Sequence, residues 1–269
     1  MKTRVITALV GVPILIAALI IRGVVADVLI IALTLIALSE CYKALAAAKY
    51  KVCKWGGYFA AIIMWPLSSF MGVLDPLLLV TAAMGISMLG VLLSKEPTFP
   101  NAAASIYPLF TCLMPFSMFM MMHSTMYGRV PGIALITMAF GIAYGCDIFA
   151  YLGGRTFGRH KLCPAVSPKK TVEGAVSGVL GAVMFALIIR AFFVHVLSTP
   201  MPGIPAAILL GVIGSVAGQV GDLTASMLKR YSGIKDYGKL FPGHGGVMDR
   251  FDSVIFTLIV MYCYTLVLH

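Results

Sequence analysis

The chain has 269 residues, of which 60% are hydrophobic and only 11% are Asp, Glu, Lys or Arg. A typical soluble domain carries about 25% charged residues, so this composition excludes a water-soluble globular protein and indicates a membrane protein. The net charge of +10 is compatible with a nucleic-acid partner, but the Lys and Arg residues lie in short segments between apolar stretches. That distribution is typical of membrane proteins, and we expect no nucleic-acid binding.

Nine apolar stretches are long enough to cross a bilayer, which requires about 20 residues per helix. The predicted fold class is therefore all-α, in a polytopic membrane protein with about nine transmembrane helices. The N-terminal stretch is interpreted as a retained helix, because it is longer than the apolar part of a signal peptide and no clear cleavage site follows. The predicted spans are 5–21, 25–42, 56–73, 76–94, 102–122, 131–153, 174–197, 203–224 and 247–268.

The distribution of positive charge predicts the orientation of these spans. When the loops are assigned alternately to the two sides, every Lys and Arg except Arg22, Arg129 and Arg190 lies on the side of the N-terminus. Since Lys and Arg concentrate in cytoplasmic loops, the N-terminus is predicted to be cytoplasmic and the C-terminus to lie on the opposite side. Two longer polar loops, 154–173 and 225–246, then face the cytoplasm, where nucleotides are present.

The polar residues divide the chain into two predicted regions. Residues 1–130 hold five spans with few polar residues besides Glu40, which indicates a transmembrane scaffold whose flat apolar surface is compatible with a homodimer. Residues 131–269 hold the charged residues of the later spans and both long loops, which indicates the catalytic region. Glu40 and Arg190 are interpreted as boundary or helix-packing residues. The cysteines show no ligand spacing and are expected to be buried thiols.

Two helix ends carry acidic residues on either side of the second long loop. Asp222, Ser226 and Lys229 recur at spacings that place them on one helical face, and Asp249 and Asp252 can also share a face. A glycine-rich turn lies between them, where backbone N–H groups can approach an anion closely. Because carboxylates bind Mg²⁺, and the metal and lysines together neutralise phosphates, the pattern indicates a site for Mg²⁺ and phosphate.

A structural interpretation competes with this functional one. Asp222 and Asp249 could simply pair with Lys229 and Arg250 at the membrane boundary, and the two aspartates considered alone do not distinguish the two interpretations.

The other candidates have structural alternatives as well. Lys169 and Lys170 alone are more typical of topology determinants than of ligands. Asp147, in the sixth predicted span, could be a helix-packing residue, although ionisable residues within membrane helices are usually functional. His244 alone would more often be a loop histidine than a catalyst.

Taken together, the motifs of the last third resemble a known signature. Residues 226–252 resemble, at every fixed position, the signature of the phosphatidate cytidylyltransferase (CDP-diacylglycerol synthase) family. Asp147 with Gly153-Gly154-Arg155, and the segment 167–174, also fit the bacterial members. The fixed positions are Ser226, Leu228, Lys229, Arg230, Lys235, Asp236, Gly238, Phe241, Pro242, His244, Gly245, Gly246, Val247, Asp249, Arg250, Phe251 and Asp252.

The resemblance implies an activity, a cofactor and a location. The expected reaction is transfer of a cytidylyl group from CTP to phosphatidate, giving CDP-diacylglycerol and pyrophosphate for phospholipid biosynthesis. The expected location is a plasma membrane of the bacterial inner-membrane type, with the site facing the cytoplasm. The resemblance further implies that Asp222 and Asp249 lie at a divalent cation, normally Mg²⁺. A second cation and Asp147 as a further ligand are additional hypotheses, because paired carboxylates often hold two metals.

The remaining site residues are assigned as hypotheses by charge and position. The catalytic candidates are Asp222, Asp249, Lys229, Arg230, His244 and Asp252. The candidates for binding substrate phosphate are Lys169, Lys170, Ser226, Lys235, Gly245, Gly246 and Arg250.

Two other functional classes were compared with this one. A CDP-alcohol phosphotransferase would carry a DGxxAR-type run with trailing aspartates, which the sequence lacks. A transporter or channel could use Asp147 and Asp222 as an intramembrane ion path, and it would place charges near the bilayer midplane in paired broken helices. Here the charges gather at one predicted boundary and in loops, which favours the enzyme.

Overall fold

The computed structural model describes residues 24–69, 75–127, 129–241, 243 and 245–267. The first predicted span, 5–21, lies outside the described residues. Internal contacts divide the chain into two compact units. The first unit comprises Met1–Met121 and Leu228–Phe251, and the second comprises Met122–Met227 and Asp252–His269.

The first unit begins with helices whose ends are set by local sequence signals. Asp75 caps α3 by accepting hydrogen bonds from the N–H groups of Leu77 and Leu78 at 2.8 and 3.1 Å. Pro108 lacks an amide hydrogen, and a π-helical turn follows it before the helix resumes. The elements are α1 (Val24–Ala47), α2 (Trp55–Ser69), α3 (Pro76–Leu92), α4 (Phe99–Pro108), the π-turn Leu109–Leu113 and α5 (Met114–Ser124).

The second unit contains long helices and two short antiparallel hairpins. Strands β3 and β4 form the hairpin within the predicted loop 154–173, with Lys161 opposite Thr171 and Cys163 opposite Ser167. The helix Ile204–Tyr231 begins in the second unit and ends in the first, whereas the helix Met248–Thr265 begins in the first unit and ends in the second. The elements are β1 (Met126–Tyr127), β2 (Val130–Pro131), α6 (Gly132–Phe157), β3 (Lys161–Cys163), β4 (Ser167–Thr171), α7 (Val172–His195), α8 (Ile204–Tyr231) and α9 (Met248–Thr265).

Every predicted span from 25–42 onward contains a helix, which supports an all-α membrane protein. Five helical segments of the described residues are long and apolar enough to cross a membrane. The number of nine spans and their orientation stay predictions. The five segments are Val24–Ala47, Phe99–His123, Gly132–Phe157, Val172–His195 and Ile204–Tyr231.

Helix α8 extends beyond its predicted end. The prediction ended it at residue 224, but the helix continues to Tyr231, so Ser226, Lys229 and Arg230 are helical and the following loop is shorter than 225–246. The helix stops where Gly233 adopts a left-handed φ of 67°. Its N–H donates to the Arg230 carbonyl and the next N–H donates to the Lys229 carbonyl, which is the usual glycine-dependent helix end.

Helices α6 and α7 pack closely through glycines of α7. A Cβ added at Gly178 would lie 2.9 Å from the Cys146 sulfur and 3.0 Å from its carbonyl oxygen, and one at Gly174 would lie 2.8 Å from the Ala150 carbonyl. Gly181 in the same way faces the ring of Phe149. Small residues at a spacing of four allow two membrane helices to approach at backbone distance, so these glycines set the position of α7 on α6.

We predict that Gly178→Val destabilises the protein, because the added side chain has to push α7 away from α6. Overpacking of this kind costs about 1–3 kcal/mol of unfolding free energy. Thermal melting of the detergent-purified protein measures the effect. Gly85→Val is the matched control, since a Cβ at Gly85 has no atom within 4 Å. Equal melting temperatures for the two variants would contradict the packing argument.

Candidate active site

A polar cavity of about 360 Å³ lies within the second unit. It is bounded by α6, the β3–β4 hairpin, α7 and α8. Its lining combines three cations with two carboxylates and one amide, which is the composition needed to bind a phosphate-bearing ligand together with a cation. These six residues are Asp147, Arg155, Lys169, Lys170, Gln219 and Asp222.

Asp222 is the centre of the charged contacts in this cavity. Lys170 donates a hydrogen bond to Asp222 Oδ2, and the two side chains are 29% and 27% exposed. Ser226, one helical turn further along α8, donates to Asp222 Oδ1 at 3.4 Å. The predicted shared face of Asp222 and Ser226 on one helix is therefore confirmed, and the carboxylate has contacts on both oxygens.

The hairpin delivers the two lysines to the cavity. Lys169 is exposed and Lys170 is half-buried, and both line the cavity wall from β4. Thr171 ends the strand and caps α7 by accepting a hydrogen bond from the Gly174 N–H at 3.1 Å. The lysines are thus carried on an ordered strand that leads directly into a helix start.

Glu173 closes the base of this hairpin. Its carboxylate accepts hydrogen bonds from the N–H groups of Arg159 at 3.0 Å and His160 at 3.2 Å, and it contacts His160 Nδ1 at 2.6 Å. These contacts join the start of α7 to the chain that leaves α6. Glu173 therefore fixes the segment that carries Lys169 and Lys170, a role that its place in the sequence motif did not reveal.

Two further residues complete the cavity wall. Asp147, on α6, is exposed to the cavity and its Oδ2 accepts from the Ser253 hydroxyl at 3.5 Å. Gln219 donates to the Ala175 carbonyl at 3.3 Å and to the Cys146 sulfur at 3.4 Å, which ties α8 to α7 and α6. Sequence reasoning missed Gln219. The available signal was its position three residues before Asp222, on the same helical face.

Asp249 organises the signature loop of the first unit. Lys229 Nζ donates to Asp249 Oδ1 at 2.9 Å, and the backbone N–H groups of Tyr237 and Gly246 donate to Oδ2 at 2.8 and 2.9 Å. The Asp249 side chain is only 5% exposed. Lys229 also lies over the Tyr237 ring, 5.4 Å from its centroid, and burial raises the pKa of the Tyr237 phenol well above its ordinary value.

The other predicted residues of the loop are distributed around this centre. Arg230, Lys235 and Arg250 are exposed, so their charges face outward from the first unit. Gly245 has a left-handed φ of 84° and lies against the Asp249 carboxylate, where a side chain would not fit. His244 lies outside the described residues.

Asp252 belongs to the second unit, at the start of α9. Its Oδ1 accepts a hydrogen bond from the N–H of the following residue, Ser253, at 2.9 Å. It is absent from the described lining of the cavity that holds Asp147 and Asp222, and its catalytic role stays a prediction.

The structural interpretation correctly expected ion pairs for Asp222 and Asp249, but with partly different partners. Asp222 pairs with Lys170 of the hairpin, and Asp249 pairs with Lys229. An ion pair satisfies a carboxylate whether or not it also binds a cation. The choice between the two interpretations therefore rests on activity.

The donor chemistry of the cavity suits a hard divalent cation. Asp147 and Asp222 offer carboxylate oxygens to one cavity, and Mg²⁺ usually takes one or two carboxylates and completes its ligands with water and phosphate. Within the described part of the chain, no group of three or more His, Cys, Asp or Glu side chains could hold a metal ion on its own. Asp222 and Asp249 belong to different units, and their joint metal site stays a prediction.

Comparison with known proteins decides the family. Residues 2–268 match the profile of the cytidylyltransferase family. The chain belongs to this family. It is 34% identical over 266 residues to a phosphatidate cytidylyltransferase of Staphylococcus haemolyticus, which covers 96% of each chain. It is 32% identical over 266 residues to that of Staphylococcus saprophyticus, again with 96% of each chain covered.

A shorter match extends the similarity to a second genus. The phosphatidate cytidylyltransferase of Bacillus subtilis is 40% identical over 131 residues, which are 49% of this chain and 47% of that protein. The family indicated by the signature at residues 226–252 is therefore confirmed, and the similarity is not limited to that segment.

Proposed function

We propose that this chain transfers a cytidylyl group from CTP to phosphatidate, forming CDP-diacylglycerol and releasing pyrophosphate. The observation that carries the proposal is the cavity in which Lys169, Lys170 and Arg155 surround the carboxylates of Asp147 and Asp222, in a chain similar over 96% of its length to phosphatidate cytidylyltransferases. The CDP-alcohol phosphotransferase and transporter alternatives lack such support, because the family and the cation-rich cavity both favour nucleotide transfer.

The reaction requires two anions to meet. A phosphate oxygen of phosphatidate forms a bond to the α-phosphorus of CTP, and the bond from that phosphorus to the bridging oxygen of the β-phosphate breaks, so pyrophosphate leaves with the electron pair. The attacking oxygen is already anionic at neutral pH, and no strong general base is needed. Positioning and charge stabilisation then account for most of the catalysis.

The cavity supplies the cations for this step. Lys170 is held by Asp222, so its ammonium is already oriented towards the cavity before a phosphate arrives. A bound phosphate would share Lys170 with Asp222, while exposed Lys169 and Arg155 would approach the other phosphate oxygens. Because Asp222 holds Lys170 and the hairpin and α6 carry the other two cations to the same cavity, less reorganisation is needed when charge moves to the leaving group.

Mg²⁺ is the proposed cofactor, held by Asp222 with Asp249 and with Asp147 as a further candidate ligand. When bound, such an ion neutralises phosphate charge and stabilises the leaving pyrophosphate. A second cation is part of the proposal, since three carboxylates are available for two ions. Lys170 and Lys229 would orient the Asp222 and Asp249 carboxylates that hold the ion.

The first unit is proposed to contribute the loop over the phosphates. Lys229 orients Asp249. Gly245 and Gly246 stay candidates for contact with substrate phosphate, although the Gly246 N–H already donates to Asp249. Exposed cations and the remaining polar groups of the loop would hold the phosphates of CTP or of the lipid. These are Arg230, Lys235, His244 and Arg250, with Asp252 and Ser226 as neighbours of the carboxylates.

The membrane arrangement is also a proposal. We infer nine spans with a cytoplasmic N-terminus, in a plasma membrane of the bacterial type, with the site open to cytoplasmic CTP. The excess of Lys and Arg on one predicted side supports this orientation. A homodimer through the apolar N-terminal half remains part of the proposal.

The activity is tested by supplying the purified protein with radiolabelled CTP and phosphatidate in detergent micelles. We expect a labelled CDP-lipid and equimolar pyrophosphate, and we expect excess EDTA to stop the reaction until Mg²⁺ is restored. Failure to form the CDP-lipid under these conditions would contradict the function. Full turnover in excess EDTA would leave the function in place and remove the metal.

One reporter fusion, made in the wild type and in a lysine variant, tests both the topology and the role of the hairpin lysines. A reporter fused after His269 is expected on the side opposite the cytoplasm in the wild type. The double variant Lys169→Ala, Lys170→Ala is expected to insert in the same way but to lose turnover or to require far more CTP. A cytoplasmic reporter in the wild type would mean a missing or extra span. A change of orientation with normal turnover would make these lysines topology signals.

A further inference from the structure

Glu40 is a buried carboxylate that contacts the start of the last helix from a helix about 200 residues earlier in the chain. It lies on α1 and is 5% exposed. Its Oε1 accepts a hydrogen bond from the Val247 N–H at 3.1 Å, and its Oε2 accepts one from the Met248 N–H at 2.9 Å. Both oxygens are therefore used, and both contact the signature segment within the first unit.

These two N–H groups need a partner from outside their own helix. The first N–H groups of an α-helix have no carbonyl four residues earlier to accept them, and a side chain just before the helix usually does so. The residue in that position here is Val247, whose apolar side chain offers no hydrogen-bond acceptor. Glu40 supplies the missing acceptor, and its negative charge also suits the positive end of the helix dipole.

Glu40 and Asp249 hold neighbouring groups of the same short segment. Asp249 accepts the Gly246 N–H at 2.9 Å, and Glu40 accepts the next two N–H groups, those of Val247 and Met248. Three successive backbone donors thus point to two carboxylates. The position of the Asp249 carboxylate depends on the same turn that Glu40 fixes.

Two glycines of the signature make the space that Glu40 fills. A Cβ added at either Gly238 or Gly246 would overlap the Glu40 carboxylate, and the Cβ at Gly238 would also come within 3.1 Å of the Gly246 Cα. The glycines of this loop with a positive φ are Gly233, Gly243 and Gly245. Gly238 and Gly246 are not among them. Close approach of the carboxylate is therefore the reason that these two positions exclude a side chain.

We propose that Glu40 is a positioning residue for nucleotide transfer: it clamps the start of α9 and thereby places Asp249 against Lys229 and the Tyr237 N–H. The inference rests on the proposed function, in which Asp249 acts at the site. It replaces the interpretation of Glu40 as a boundary or helix-packing residue. It also gives the N-terminal half a part in the site, which was predicted to be scaffold.

The test compares Glu40→Gln with Asp27→Asn. Glutamine keeps the shape of Glu40, but its NH₂ group faces a backbone donor, so one of the two hydrogen bonds is lost. Asp27 is a matched control because it is another buried acid of the same helix, roughly 20 Å away at 1.5 Å per residue. Gly238→Ala, Glu40→Ala and the double variant that combines these two changes complete the set.

The first readout needs no activity. Hydrogen exchange at the Val247 and Met248 amides, followed by mass spectrometry of the purified protein, is expected to be slow in the wild type and in Asp27→Asn. We expect it to be at least about tenfold faster in Glu40→Gln, because these amides have no acceptor within their own helix. Unchanged exchange in Glu40→Gln would overturn the clamp itself, whatever reaction the protein catalyses.

The second readout is kinetic. For Glu40→Gln we expect kcat to fall by at least about tenfold, because a small displacement of Asp249 is sufficient for such a loss, while the KM for phosphatidate and the yield of folded protein stay near wild type. Asp27→Asn is expected to keep wild-type kcat. Lower yield with normal kcat in the folded fraction would make Glu40 a stability residue and overturn the positioning role.

The glycine variants test direct contact. If Glu40 acts through its contact with Gly238, the losses of kcat from Gly238→Ala and Glu40→Ala are expected to be non-additive, because removing the carboxylate also removes the overlap with the new methyl group. Strictly additive losses would contradict the contact. A wild-type protein that forms no CDP-lipid would refute the proposed function and leave the exchange result to decide the clamp.

Discussion

The pairing of Asp222 and of Asp249 with a lysine of the same unit is the interaction on which the rest of the site depends. Asp249 is almost fully buried, and removing one partner of a buried ion pair costs about 3–5 kcal/mol, so Lys229 and Asp249 have to be kept together. Lys170 and Asp222 form the corresponding pair in the second unit. In the second unit the β3–β4 hairpin carries Lys170 to Asp222, and in the first unit the backbone N–H groups of Tyr237 and Gly246 donate hydrogen bonds to Asp249.

Glycines and helix ends provide this arrangement in both units. In the second unit, glycines of α7 allow it to lie directly on α6, which brings the hairpin and its lysines to the face that carries Asp147. In the first unit, Gly233 ends α8 soon after Lys229, and Gly246 leaves room for Glu40 at the start of α9. The fixed glycines of the signature therefore have packing reasons as well as the phosphate-binding reason inferred from sequence.

Much of this could be predicted from the sequence, because long apolar stretches and the spacing of charged residues depend only on local periodicity. The helices and the face shared by Asp222 and Ser226 followed from that. The β3–β4 hairpin did not, since its strands are short and polar. Helix α8 was ended too early because its apolar stretch stops near residue 224, whereas the helix continues through the polar residues Ser226, Lys229 and Arg230. Gln219 and Glu40 were missed because their roles depend on contacts with distant segments, which a single sequence does not reveal.

The central claim is that Asp222 and Asp249 act in catalysis and do more than balance their lysines. The most direct measurement is the turnover of Asp222→Asn and Asp249→Asn, each compared with Asp75→Asn, because Asn caps a helix about as well as Asp. The account predicts that each site variant loses at least about a hundredfold in turnover per recovered protein, and that the Asp75 variant is unchanged. Asp249→Asn is expected to lower the yield as well, because Lys229 loses its buried partner. Wild-type turnover of both site variants at saturating Mg²⁺ would contradict the account and would place the metal elsewhere.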